Sequence, residues 1–268
     1  DAAIAADKQA LLPGQQATFA NYTSYVRGIN GVMVDVMGLA APDQLSAADF
    51  SFRTGNNSQL ETWTAAAAPQ IIAARSRGDT PGVWRITLIW SDDTAVKNQW
   101  LEVTVRATAA TGLFAPDVFY FGNAVGETGD NATGPAPDAY VTTADAEAAR
   151  ANRTGITPAA ITNVYDFNRD RRVNSTDEMI ARNNPRSGPE ALQLIDLRAP
   201  GGNRMIALPS AHEVHDAILA EAAEEVSLGG DGWADVLALV ALMDGDARSG
   251  RSSKPLEQAT DEAIASLA

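Results

Sequence analysis

A chain of 268 residues, 45% hydrophobic and 20% charged, is a folded globular protein of two domains, or one with large appendages, and neither disordered nor fibrous. It contains no cysteine, which excludes disulfide scaffolds, cysteine-ligated zinc, iron–sulfur clusters and thiol nucleophiles together. Twenty basic against 34 acidic residues give a formal net charge of −14, which argues against binding nucleic acid and for solvated surfaces or cation sites. No stretch reaches the ~18 uninterrupted apolar residues of a membrane span. The start, Asp1 to Lys8, lacks an initiator Met and a signal-peptide charge pattern and reads as that of a processed fragment. The acidic excess divides the chain into three unlike parts, residues 1–112, 113–198 and 199–268, with net charges of −2, −4 and −8.

Over residues 1–112, short β-branched runs between turn residues predict an antiparallel β-sandwich, Ig-like or jelly-roll-like, with strands at Ile29–Met37, Gln70–Ala74, Val83–Trp90 and Gln99–Val105. In V-W-R-I-T-L-I-W, alternation puts Trp84, Ile86, Leu88 and Trp90 on one face, which is expected to meet the core. The next run sets Leu101, Val103 and Val105 against Trp100, Glu102, Thr104 and Arg106, the pattern of a half-buried strand. Ser91-Asp92-Asp93-Thr94 between them reads as a hairpin loop. Large aromatics on strands are mostly core residues. Trp63, in a polar connection, and Trp100, on a face shared with charges, are the ones expected to be exposed, and a polysaccharide-stacking platform would use them.

The sharpest motif follows Tyr165: D-F-N-R-D-R-R-V-N-S-T-D-E-M-I. Calcium takes six to eight oxygens, which a twelve-residue loop supplies from its first, third, fifth, seventh, ninth and twelfth positions. Here these are Asp166, Asn168, Asp170, the Arg172 carbonyl, Asn174 and Asp177, the last falling in the first turn of a helix whose dipole favours a carboxylate. The sixth position, normally glycine because the backbone turns there with positive φ, is Arg171, and Arg169, Arg171 and Arg172 bring positive charge to the loop. Weakened cation binding is the expectation.

This loop resembles the type I dockerin repeat, D-x-N-x-D-G-x-V-N-S-T-D, at every ligand position. The resemblance implies a pair of repeats over residues 113–198. A distorted first copy is visible in F-G-N-A-V-G-E and V-T-T-A-D-A-E-A-A-R-A-N, with Asn123, Glu127 and Asp145 as its ligands and Asp130 or Asp138 filling in from the inserted stretch Thr128–Tyr140. In dockerins the two residues before the last ligand contact the partner; here these are Ser175 and Thr176, with Thr143 and Ala144 in the first copy. The wider wording, including L-P-G-Q-x-A-T-F-A-N-Y-T-S-Y-x-R-G-I-N-G-V-M-V-D, is similar to a recurrent C-terminal unit of large secreted planctomycete proteins. It implies a secreted or cell-surface bacterial setting.

Residues 199–268 read as an acidic helical tail, with Val214, Ile218 and Ala222 on one helical face. His212 and His215, three apart in H-E-V-H-D, do not form the H-E-x-x-H zinc motif; with Glu213 and Asp216 they are either a surface metal site or ordinary polar-face residues. No nucleophile elbow, phosphate loop or dinucleotide fingerprint is present, so no catalytic residue is nominated and the chain is not read as an enzyme. The sequence thus predicts a mainly β plus α, non-catalytic extracellular calcium-binding module for protein–protein attachment to a cohesin-like or other surface protein. Its alternative is a carbohydrate-binding module of a larger secreted glycan-active or adhesion protein.

Overall fold

Alternating apolar residues set the strands of the computed structural model, which describes residues 5–133 and 135–198. In chain order they are β1 (Tyr22–Thr23), β2 (Gly31–Met37), β3 (Phe50–Gly55), β4 (Thr64–Ala65), β5 (Ile71–Ser76), β6 (Val83–Ile89), β7 (Trp100–Val105) and β8 (Asp117–Asn123). Two helices follow, α1 (Thr143–Ala151) and α2 (Ser175–Asn183). The fold is mainly β, with one sheet ordered β1-β8-β7-β3-β4 and another ordered β2-β6-β5. The pairings are antiparallel except β1 with β8, which is parallel at Tyr22↔Gly122 and Thr23↔Asn123.

One apolar cluster draws on both sheets: Val32 and Val36 of β2 and Ile86 and Leu88 of β6 share it with Phe52, Leu101, Val103 and Phe119. Burying each such side chain contributes roughly 1.5–3 kcal/mol. Ile86, Leu88 and Trp90 are buried as the alternation requires, while Trp84 is only partly buried against the same cluster.

Sequence neighbours are not spatial neighbours at Ser91–Thr94. The turn closes there, with Thr94 N and Ala95 N both donating to Ser91 O at 3.0 and 2.9 Å. It carries the chain from β6 in one sheet to β7 in the other, so the expected hairpin is absent. Nor is β7 half-buried. Its second face packs into another cluster, where Trp100 meets Leu11, Tyr22, Trp63 and Tyr120 beneath Leu192, Ile195 and Leu197.

Trp63 and Trp100, expected at the surface, are therefore interior, at 6% and 0% exposure. Their indole N–H groups donate to Asn57 O (3.0 Å) and Gln193 O (2.7 Å), which removes the desolvation cost of burying them. Trp63 lies so close to β3 that a Cβ on Gly55 would sit 2.3 Å from its ring. On the same face Glu102, buried, takes both fork nitrogens of the cross-strand Arg53 at 2.7 and 2.5 Å. Arg53 Nη1 also donates to Leu60 O at 2.9 Å, which ties down the loop carrying Trp63.

The division expected between residues 112 and 113 falls inside one compact unit that holds every described residue. β8 lies past it and pairs along its whole length with β7, from Trp100↔Gly122 to Val105↔Asp117. The acidic tail, with His212 and His215, lies outside the described residues.

Both helices begin with reciprocal caps. Thr142 Oγ1 accepts from Ala144 N (3.0 Å) while Asp145 Oδ2 accepts from Thr142 N (2.7 Å). Asn174 Oδ1 and Asp177 Oδ2 repeat the pattern with Thr176 N (2.7 Å) and Asn174 N (2.9 Å). α1 and α2 pack through Ala146, Ala149 and Ala181 around Phe167. Glu178 of α2 reaches Arg153, just past the end of α1, at 2.6 Å and Arg182, one turn on, at 2.8 Å.

Candidate metal centre

Two loops precede the helices, and one stretch of the β-rich part seats both. Thr23 O and Ser24 O accept from Ala124 N (2.9 Å) and Gly126 N (3.2 Å) of the first loop, and Val26 N donates to Phe167 O (2.9 Å) of the second. Gly126, at φ +85°, brings the first loop against α2, where an added Cβ would stand 3.0 Å from the Ala181 Cα.

In the second loop the backbone takes the shape that the ligand spacing asks for. Arg171, the sixth residue, has φ +69°, and its N–H donates to Asp166 Oδ2 at 2.9 Å. Asn168 Oδ1 accepts from Asp170 N (3.0 Å) and Asp170 Oδ1 from Arg172 N (2.8 Å), a chain of side-chain turns that curls the loop inward. Asp166 and Asp177 are buried, at 1% and 0% exposure. Asp177 is satisfied by Phe167 N (2.8 Å) and Asn174 N (2.9 Å), whereas Asp166 Oδ1 has no hydrogen-bond partner. Burial raises the Asp166 pKa, opposed by the Arg171 N–H, and the Asp177 and Asp170 charges push the same way as burial.

Asn174 spends its side-chain oxygen on the α2 cap. Arg169, at φ +56°, donates from Nη1 to Ile161 O (2.9 Å) and Asn163 O (2.7 Å), and its charge still favours the ionised form of Asp166. Arg171 and Arg172 are exposed.

In the first loop the expected ligands are unequally placed. Asn123 is fully buried and spent on backbone: Oδ1 accepts from Asn98 N (3.0 Å), and Nδ2 donates to Thr23 O (3.1 Å) and Tyr25 O (3.0 Å). It therefore seats the loop, with both amide protons and one oxygen lone pair committed. Asp138 is likewise occupied, by Asn131 Nδ2 (2.6 Å) and Tyr140 N (3.0 Å).

Glu127, Asp130 and Asp145, by contrast, each offer an oxygen within 4.8 Å of the others and could hold a metal ion. Among the described residues, Asp166, Asp170 and Asp177 do not gather as closely. Asp145 Oδ1 accepts from Thr128 N (2.9 Å) and Oγ1 (2.7 Å), and Glu127 Oε1 from Gly129 N (2.6 Å). Glu127 Oε2 and the Tyr22 hydroxyl, both buried, make no hydrogen bond within 3.5 Å, though they lie close enough to act on each other.

Burial pushes the Glu127 carboxyl up to about 8, against the Tyr22 hydroxyl and the Gly129 N–H, and Asp145 and Asp130 add repulsion. Burial and the Glu127 charge raise the Tyr22 phenol as well. An all-oxygen donor set with orphaned buried oxygens suits a hard cation. Tyr22 carried no signal in the sequence, because nothing local links it to a loop more than a hundred residues away.

Ser175 and Thr176 at the start of α2, and Thr143 and Ala144 at the start of α1, are all exposed. In comparisons with known proteins, no family model, no curated protein and no solved structure matches the chain.

Proposed function

We propose that the chain is a non-catalytic, calcium-stabilised extracellular module for protein–protein attachment, with a β-sandwich carrying a dockerin-like pair of loop–helix repeats. One observation carries this reading. Asp166, first in the ligand order, is a buried carboxylate with an orphaned oxygen, in a loop whose sixth residue already takes the left-handed turn. A buried carboxylate left partly unpaired is costly, and a cation bound there removes the cost. Calcium would be held by Asp166, Asn168, Asp170, the Arg172 carbonyl and Asp177, with Asn174 at most through water.

The two helix starts, Ser175 with Thr176 and Thr143 with Ala144, then offer exposed surface to a cohesin-like or other surface protein. Calcium would tie together the carboxylates of the loops behind them and so stiffen their presentation. Linkage requires that a partner preferring the ordered loops tighten calcium by the factor by which calcium tightens the partner.

The test is a pull-down by the whole chain from the source organism's secreted and surface proteins, with calcium and with chelator, beside a glycan array. Capture of a defined protein only with calcium supports attachment. A glycan signal without a calcium-dependent protein partner would replace it with the carbohydrate-binding alternative, which would need a surface other than the interior Trp63 and Trp100.

A further inference from the structure

We infer that Glu127, Asp130 and Asp145, beside the Tyr22 hydroxyl, form a second hard-cation centre whose ligands lie outside the twelve-residue register. Three observations converge on it. The three carboxylates bring oxygens within 4.8 Å of one another, two of them from buried side chains. Glu127 Oε2 belongs to a fully buried residue and makes no hydrogen bond within 3.5 Å; the buried Tyr22 hydroxyl lies close enough to act on that carboxylate, yet makes no hydrogen bond of ordinary length either.

The cationic side chain that senses Glu127, Lys8, is already spent: its Nζ donates to Phe19 O at 3.0 Å, lies over the Phe19 ring and sits 3.4 Å from Asp7. Three carboxyl groups so close, with an unpaired oxygen among them, can all ionise at neutral pH only beside a counter-ion.

The donors are all oxygens, so the ion is of the calcium class. Asp130 is exposed and leaves the remaining coordination positions to water. The choice of calcium rests on the proposed function above; the ligand set does not, because it shares no residue with the second loop. Register is replaced by topology here. Asn123, which spacing alone offered as first ligand, anchors the loop to Thr23 and Tyr25, and the following segment carries Glu127 and Asp130 to the start of α1.

Calcium titration calorimetry on the full chain and its variants tests this. The unaltered chain should bind two ions. Asp130→Asn, at an exposed position that folding tolerates, should weaken one site at least tenfold, and Glu127→Gln should abolish it. Both variants should melt no lower than the unaltered chain in chelator, since neither removes a favourable charge contact from the metal-free site; a purely structural acid would destabilise instead. Asp166→Asn with Asp170→Asn should remove the other site only.

Two ions still bound with unchanged affinity in Asp130→Asn and Glu127→Gln would overturn the inference. So would a single ion lost in the Asp166 and Asp170 variant, or no ion at all. A single ion lost in Glu127→Gln would uphold this centre and sink the second-loop reading alone.

Discussion

Replacing Arg171 with glycine should stabilise the metal-free chain and leave its calcium affinity almost unchanged. Arg171 sits at φ +69°, where an L-residue costs on the order of 1 kcal/mol that glycine does not. Glycine's greater freedom in the unfolded chain returns part of this, leaving a gain of about 0.5–1 kcal/mol. At ~2–4 °C per kcal/mol for a domain of this size, the melting temperature in chelator should rise by about 1–4 °C. Nothing offsets the gain, because the side chain is exposed and the Arg171 N–H to Asp166 and Ala159 N to Arg171 O bonds are backbone features that glycine keeps. Affinity should move little because the turn is held by bonds within the loop, Arg171 N–H to Asp166 and Arg172 N–H to Asp170, so the same strain is expected in free and bound states. Only the lost solvated charge remains, worth ~0.5 kcal/mol or less, about twofold in the dissociation constant.

Arg169→Gly is the control of opposite sign. Its φ of +56° is strained in the same way, yet its guanidinium holds Ile161 O and Asn163 O. Charge-assisted bonds are worth ~1.5–3 kcal/mol, so the variant should melt several degrees lower. Differential scanning calorimetry in chelator reads both variants, and titration calorimetry reads the affinity. A lower melting temperature for Arg171→Gly, or a higher one for Arg169→Gly, would refute the reasoning.

Gly55→Ala should cost more than about 2 kcal/mol in chemical denaturation, because the new methyl would meet the Trp63 ring and the packed indole cannot yield; wild-type stability would contradict the assigned position of Trp63. Asp35 is held near pH 2 by the Arg85 fork and then by Arg77. Its folded value lies below the unfolded 3.8, so its contribution is present above about pH 4 and fades as pH falls through about 2. Asp35→Asn should flatten that window in acid titrations followed by circular dichroism and, the group being a third exposed, cost at most about 1 kcal/mol at neutral pH. Ser175→Ala with Thr176→Ala should leave the melting curve within about 0.5 kcal/mol and weaken partner capture, since both side chains are exposed; unchanged capture would move the contact surface elsewhere.

What the sequence reveals depends on how local the cause is. The ligand spacing from Asp166 to Asp177 and the left-handed Arg171 are set within twelve residues and could be read directly. Alternation in β6 likewise identifies Ile86, Leu88 and Trp90 as core. Trp100 misleads because its cover, Leu192 to Leu197, lies some ninety residues on, and Trp63 because a main-chain carbonyl, Asn57 O, accepts its N–H, a partner that side-chain polarity does not reveal. The Ser91–Thr94 turn has good turn chemistry, but turn chemistry does not say which sheet the next strand joins. At Asn123 a spacing match concealed a structural amide, since carbonyls at Thr23 and Tyr25 compete for it from a hundred residues away.

The stretch from Tyr22 to Val26 makes the helical pair hard to transplant. A designer who lifted residues 113–198 onto another carrier would leave behind β1, the Thr23 and Ser24 carbonyls that the first loop leans on, and the Val26 amide that holds Phe167. The donor would suffer too, for its sheet would lose β8 from the flank of β7 and expose Trp100 beneath the missing Leu192 cover. A working graft must therefore carry the Tyr22–Val26 stretch along with β8, or supply its carbonyls and amide from the new host.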